Sequence, residues 1–171
     1  MSERENAGRT AEPAIRRARP EEAAALTALA HAAKAHWGYP AAWLAAWAEA
    51  LTFTPEGIAA DPVYVAPGPD GAPDGCYALG REGEATTLEH LWVRPDAMGR
   101  GLGRALLTHA ARTAAAMGAD RLQIDSDPYA EGFYLRAGAV RVGEIRADVE
   151  GKGRTLPRLL LSLSSERAAP G

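Results

Sequence analysis

Apolar and small residues recur every three or four positions at Leu102, Ala105, Leu106, Ala110, Thr113, Ala114 and Met117. That spacing predicts one long amphipathic helix, closed by Gly118 where a left-handed terminator is wanted. Leu26 and Leu29, set among alanines, predict an earlier helix running toward Lys34. Pro20-Glu21-Glu22 suits its start, with proline in the first turn and acids near the positive dipole end. A second helix is expected over about 41–51, with Trp43 and Trp47 four residues apart on a shared face. Shorter apolar runs predict strands over 14–19, 63–66, 76–80, 86–93, 121–125, 140–147 and 154–163. The turn-rich PGPDGAPDG joins the second and third as a hairpin with a long loop. Residues 128–137 read as a short helix stopped by Gly138. Hairpins first and a strand–helix–strand crossover afterwards imply an α/β domain: a mixed sheet with helices on both faces.

Length fits one well-cored domain, expected over 14–165 between a tail at 1–13 and another at 166–171. The net charge of -3 disfavours a partner gripped through many nucleic-acid phosphates. Cys76 is the only cysteine, which excludes an internal disulfide and a multi-cysteine metal site, so no metal is expected. No run of eighteen apolar residues and no signal peptide is visible, so the expectation is a cytoplasmic protein without a membrane partner.

The candidate chemistry begins at residues 88–107, LEHLWVRPDAMGRGLGRALL: a strand, Pro95, three alternating glycines and the strong helix. The first amides of a helix lack intrahelical partners, and the dipole adds positive character there. Glycines let the backbone approach an anion closely, so a diphosphate is the expected guest. One glycine would serve a simple turn; Gly99, Gly101 and Gly103 exceed that need. A nucleoside triphosphate loop wants Gly-Lys-Ser/Thr, but Arg104-Ala105 follows Gly103, and the dinucleotide pattern would need glycine at Arg104.

Val93-Arg94-Pro95, the loop from Met98 to Gly103 and Ala105-Leu106-Leu107 resemble the coenzyme A loop of the GNAT superfamily of N-acetyltransferases. A second signature of that superfamily, alanine four residues before tyrosine and then glycine, is matched by Ala130, Tyr134 and Gly138. The resemblance spans about 15–163. It implies a single domain whose mostly antiparallel twisted sheet has six to seven strands, with about four helices on both faces. It implies acetyl-coenzyme A as co-substrate, held by Leu91, Trp92, Val93, Met98, Gly99, Arg100, Gly101, Leu102, Gly103, Arg104, Asp127 and Tyr134. Two departures stand out. Met98 replaces the family's usual glutamine or arginine, and Asp127 replaces a frequent asparagine. A carboxylate accepts hydrogen bonds but donates none, and before Pro128 it is an ideal helix cap.

Acetyl transfer to an amine needs a base for the nitrogen and a proton for the departing thiolate. The resemblance turns Glu89 toward the thioester as base and makes Tyr134 the acid, with Tyr129 a second choice. Strict alternation along the strand would put Glu89, Leu91 and Val93 on one face and His90 and Trp92 on the other, which makes His90 structural unless a bulge intervenes. His36, Trp37 and Tyr39, with Trp43 and Trp47, fall where the family flanks its acceptor, although a packed helix pair would use the same rings. Cys76 reads as a small buried hydrophobe. The expected function is N-acetylation of a primary amine, on a small molecule or peptide, by direct transfer in a ternary complex. The alternative is a non-catalytic acyl-coenzyme A sensor of the same fold. Monomer and homodimer both remain open.

Overall fold

The computed structural model describes residues 13–163. Both expected tails lie almost wholly outside the described residues. Seven strands of the described residues form one sheet in the order β1-β2-β3-β4-β5-β7-β6. They are β1 (Arg16–Arg17), β2 (Val63–Pro67), β3 (Pro73–Glu82), β4 (Ala85–Val93), β5 (Arg121–Asp125), β6 (Val140–Arg146) and β7 (Thr155–Ser162). Every neighbouring pair is antiparallel except β4 and β5. That parallel pair requires a crossover, and α4 (Leu102–Ala116) supplies it.

The helices are α1 (Ala23–Ala35), α2 (Ala41–Ala46), α3 (Pro55–Ala60), α4 and α5 (Glu131–Arg136). The described residues thus hold five α-helices where about four were expected; α3, capped by the Thr54 hydroxyl on the Gly57 amide, was not anticipated. The second expected helix stops at Ala46 rather than Leu51, and the first strand shrinks to two residues. Among the described residues, no helix is long and apolar enough to cross a membrane.

Two cores sandwich the sheet. On one face Leu102, Leu106, Leu107, Ala110 and Ala114 of α4 pack on Tyr77, Leu79, Leu88, Leu122 and Ile124, joined by Tyr134 of α5. On the other, Leu26, Leu29 and Ala30 of α1 and Ile58 of α3 pack on Val63, Val65, Cys76 and Ala78. Gly75 permits the close seating of α4, because a Cβ there would come within 2.7 Å of Leu106.

The feature that positions the site is a split in the middle of the sheet. β4 and β5 pair only at Thr86–Leu122 and Thr87–Gln123. Beyond Thr87 the strands part, and the β5 continuation turns to β7, where the Ser126 amide donates to the Pro157 carbonyl. The β5-facing edge of β4 therefore stays free of sheet pairing from Leu88 to Val93.

Candidate active site

The split opens a cavity of about 540 Å3. Its walls are β4 from Leu88 to Val93, the glycine loop, the start of α4, and the segment from Ile124 to Arg136. The loop has the conformation its glycines permit. Gly99 and Gly101 adopt φ of 77° and 79°, the left-handed region, and both face open space. Gly101 caps α4, and the first intrahelical bond is the Ala105 amide to the Gly101 carbonyl at 3.0 Å. The amides of Leu102, Gly103 and Arg104 precede it, so they are left for a guest at the helix mouth. Gly103 lies close to Phe133 and Val93; a Cβ at that position would sit 3.5 Å from the Phe133 ring.

A second cavity, of about 530 Å3, lies at the other end of β4 and β5, where the two strands pair, lined by Arg81, Glu84, Asp120 and Arg121 among others. Volume alone does not choose between them. The second sits at the carbonyl end of α4, beside Met117 and Gly118, where the dipole repels an anion. The first lies at the amide end of α4, where the dipole favours an anion.

Of the residues singled out from the sequence, Glu89, Leu91, Trp92, Val93, Met98, Gly99, Gly101, Leu102, Gly103, Arg104, Asp127, Tyr134 and Trp37 all line the first cavity. Arg100, His36 and Tyr39 are not among its lining residues. His36 is exposed and meets the Trp37 ring edge-on. Trp37 stacks on Tyr129 with ring centres 5.4 Å apart.

Strict alternation along β4 is wrong, because the strand carries a bulge. Ala78 pairs with His90 and Leu79 with Leu88, so Glu89 is the extra residue. Leu88, Leu91 and Val93 keep to the α4 face. His90 packs on Phe53 and Trp92 on the α1 core, and Glu89 joins them, lying over Gly80. A Cβ at Gly80 would fall 2.6 Å from the Glu89 carboxylate. Thr87 donates its hydroxyl to Glu89 Oε1. Gly80 and Thr87 thus shape the carboxylate's position, and neither was visible in the sequence, since both contacts depend on the register around the bulge.

His90 is held neutral: burial pushes its pKa down, against the pull of Glu89. The Trp92 indole donates to His90 Nδ1 at 3.0 Å, so the ring proton sits on Nε2. With its one acceptor nitrogen occupied, His90 offers the cavity a donor, not a base.

Tyr134 is 7% exposed and reaches the cavity from α5. Burial, and then the charge of Asp127, push its pKa above the ordinary tyrosine range. Among the described residues no side chain takes its hydroxyl in a hydrogen bond, which leaves that proton to face the cavity. Tyr129 is 59% exposed and lies at the rim. Cys76 is fully buried and its thiol pushed up to about 12, so it stays protonated and inert as a nucleophile.

Asp127 does cap the turn at Pro128–Ala130, accepting from the Tyr129 amide at 2.9 Å. It also accepts from Lys34 Nζ at 2.6 Å, from the Tyr39 hydroxyl at 2.9 Å and from Arg154 at 3.3 Å. Its oxygens are taken up by protein donors. Burial alone would raise its pKa, but the Lys34 hydrogen bond and charge outweigh burial and hold it low. Among the described residues, no group of three or more His, Cys, Asp or Glu is placed to hold a metal.

Comparison with known proteins agrees with this architecture. Residues 35–139 match the model of the acetyltransferase (GNAT) family. A GCN5-related N-acetyltransferase from Rhodopseudomonas palustris is similar at 26% identity, with 90% of this chain and 97% of that one covered and a TM-score of 0.74. The putative acetyltransferase yncA from Salmonella typhimurium, solved with acetyl-CoA, shares 24% identity over 94% of this chain and 99% of its own, with a TM-score of 0.64. The PaiA N-acetyltransferase from Thermoplasma acidophilum, in complex with coenzyme A, shares 17% identity over 87% and 98%, with a TM-score of 0.66. At such identities the last two speak for the fold alone. No curated protein matches the sequence.

Proposed function

Because the chain belongs to the GNAT acetyltransferase family, we propose that it transfers the acetyl group of acetyl-coenzyme A directly to a primary amine, on a small molecule or peptide, within a ternary complex. The observation that carries this reading is the conjunction of two features in one cavity. An anion cradle at the α4 N-terminus continues into a free strand edge, and that edge leads to Glu89.

The residues divide the work along that path. The amides of Leu102, Gly103 and Arg104 bind the pyrophosphate, with Arg104 adding charge. Main-chain groups of Leu91 and Val93 pair with the pantetheine arm as if it were another strand. The β4 backbone near the bulge donates to the thioester oxygen, where negative charge grows as the nitrogen attacks. Glu89, on the face turned toward α3, takes the proton from the attacking amine. The nitrogen lone pair forms the C–N bond, the C–S bonding pair leaves with sulfur, and Tyr134 supplies that sulfur with a proton. Burial, and then the charge of Asp127, raise its pKa and so favour the protonated phenol.

Positioning accounts for more of the rate than proton transfer: orientation supplies ~7–11 kcal/mol, whereas acid–base groups contribute about a hundred- to ten-thousand-fold. The test is release of free coenzyme A thiol across a broad panel of amines. Amine-dependent release with one N-acetyl product per thiol supports the reading. Tight acetyl-coenzyme A binding without turnover on any amine would leave a sensor instead.

A further inference from the structure

Among the described residues, the most densely connected polar cluster plays no part in the steps above. It joins Lys34 of α1, Tyr39 of the α1–α2 loop, Asp127 ahead of α5 and Arg154 of the β6–β7 loop. Lys34 reaches Asp127 at 2.6 Å, and Arg154 reaches the Tyr39 hydroxyl at 2.7 Å. The Trp47 ring lies 4.3 Å from the Lys34 ammonium and 4.8 Å from the Arg154 guanidinium, and the Tyr39 ring 5.1 Å from each. The Lys34 and Asp127 side chains are only 11% and 12% exposed. Capping the turn requires only the Tyr129 amide on Asp127. Two further cations and a phenol exceed that need. What they add is anchorage: they tie residues 128–136 to α1 and to the β6–β7 loop, and those residues carry Tyr134 to the cavity.

We propose that Lys34 and Arg154 are positioning residues that act through Asp127 to fix the segment bearing Tyr134, and with it the place of the Tyr134 hydroxyl. The inference rests on the reading of Tyr134 as proton donor. The mechanism is geometric. The short turn at Pro128–Ala130 runs straight into α5, so a shift at Asp127 is carried to Tyr134, the fourth residue of that helix. A displacement of about 1 Å at a reacting group can cost on the order of a hundredfold in rate. The glycine loop belongs to a different segment and is not held by the cluster.

The experiment uses the full chain with tyrosines labelled at the ζ carbon. There are five tyrosines, and Tyr134→Phe identifies the Tyr134 signal. In Lys34→Met that signal should move or broaden, and Lys34→Arg, which keeps the charge, should restore it in part. Lys34→Met should lower kcat about tenfold while KM for acetyl-coenzyme A stays within about twofold. In a Tyr134→Phe background the same substitution should cost nothing further. An unmoved Tyr134 signal, or an equal loss in both backgrounds, overturns the proposal. Should Lys34→Met fail to fold, Arg154→Met is read by the same two criteria. If the wild type acetylates no amine while the Tyr134 signal still responds to Lys34→Met, the proposed function falls and the positioning role stands.

Discussion

The glycine loop lines the cavity and the Asp127 cluster touches it through Asp127 alone, and the two are built in opposite ways. The loop works with backbone amides supplied by consecutive residues, and its shape depends on two left-handed glycines and the helix that follows. The cluster works with side chains brought together across the fold: Lys34 and Asp127 are 93 positions apart, and Tyr39 and Arg154 are 115 apart. A site made from local backbone tolerates change in its surroundings, because a helix mouth presents its amides wherever the helix forms. A site made from distant side chains inherits the register of every element that delivers them. The bulge at Glu89 belongs to the second kind.

That contrast can be broken at the loop first, where the largest effect is expected. Gly101→Glu forces a side chain into φ of 79° and brings a negative charge to the anion cradle. Acetyl-coenzyme A affinity should fall more than a hundredfold by calorimetry, about 2.7 kcal/mol or more, with the fold retained by circular dichroism. Glu89→Gln comes next. It should lower kcat about a hundredfold and leave acetyl-coenzyme A affinity unchanged, which separates chemistry from cradle; an affinity loss of the same size would merge them.

Gly80→Ala probes the same carboxylate from beneath. The new methyl meets a flexible Glu89 side chain, which can swing aside, so thermal stability should hardly change. Transfer should nevertheless drop about tenfold, because the displaced base misses its proton. Unchanged turnover would show that the seat of Glu89 over Gly80 is irrelevant.

The smallest effects concern pH. Folded Asp127 titrates below its unfolded value of about 3.9, so the stability it contributes is present above that value and lost as pH falls through the folded one. Asp127→Asn should therefore be less stable than wild type at neutral pH and show a flatter decline of melting temperature below about pH 4. Tyr134 shifts the other way, so kcat should show no loss from its ionisation at about pH 10, where an ordinary tyrosine titrates.

The same contrast decides what could be seen before the fold was known. The long helix α4, its stop at Gly118 and the strand Arg121–Asp125 stand as the periodicity predicted, since each is set by residues close in sequence. The glycine loop was legible for the same reason. The faces of β4 were not: period-two counting assumes an unbroken ladder, and one inserted residue moved Glu89 to the side of His90 and Trp92. Asp127 was readable as a cap through Pro128, but its bonds to Lys34, Tyr39 and Arg154 were hidden, because no local pattern announces a partner ninety residues away. Tyr39, Trp43 and Trp47 could be placed on a helix–loop–helix segment. Their role as rings around two buried cations emerges only with Arg154 in place.

In the proposed function, backbone amides at the mouth of α4 hold a diphosphate. Amide proton–nitrogen spectra recorded during titration can show this, with acetyl-coenzyme A compared against S-acetylpantetheine, which carries the thioester but no pyrophosphate. The signals of Leu102, Gly103 and Arg104 should move strongly with the first ligand and stay in place with the second. Equal movement with both ligands, or none with either while acetyl-coenzyme A binds, would mean that these amides do not hold the pyrophosphate.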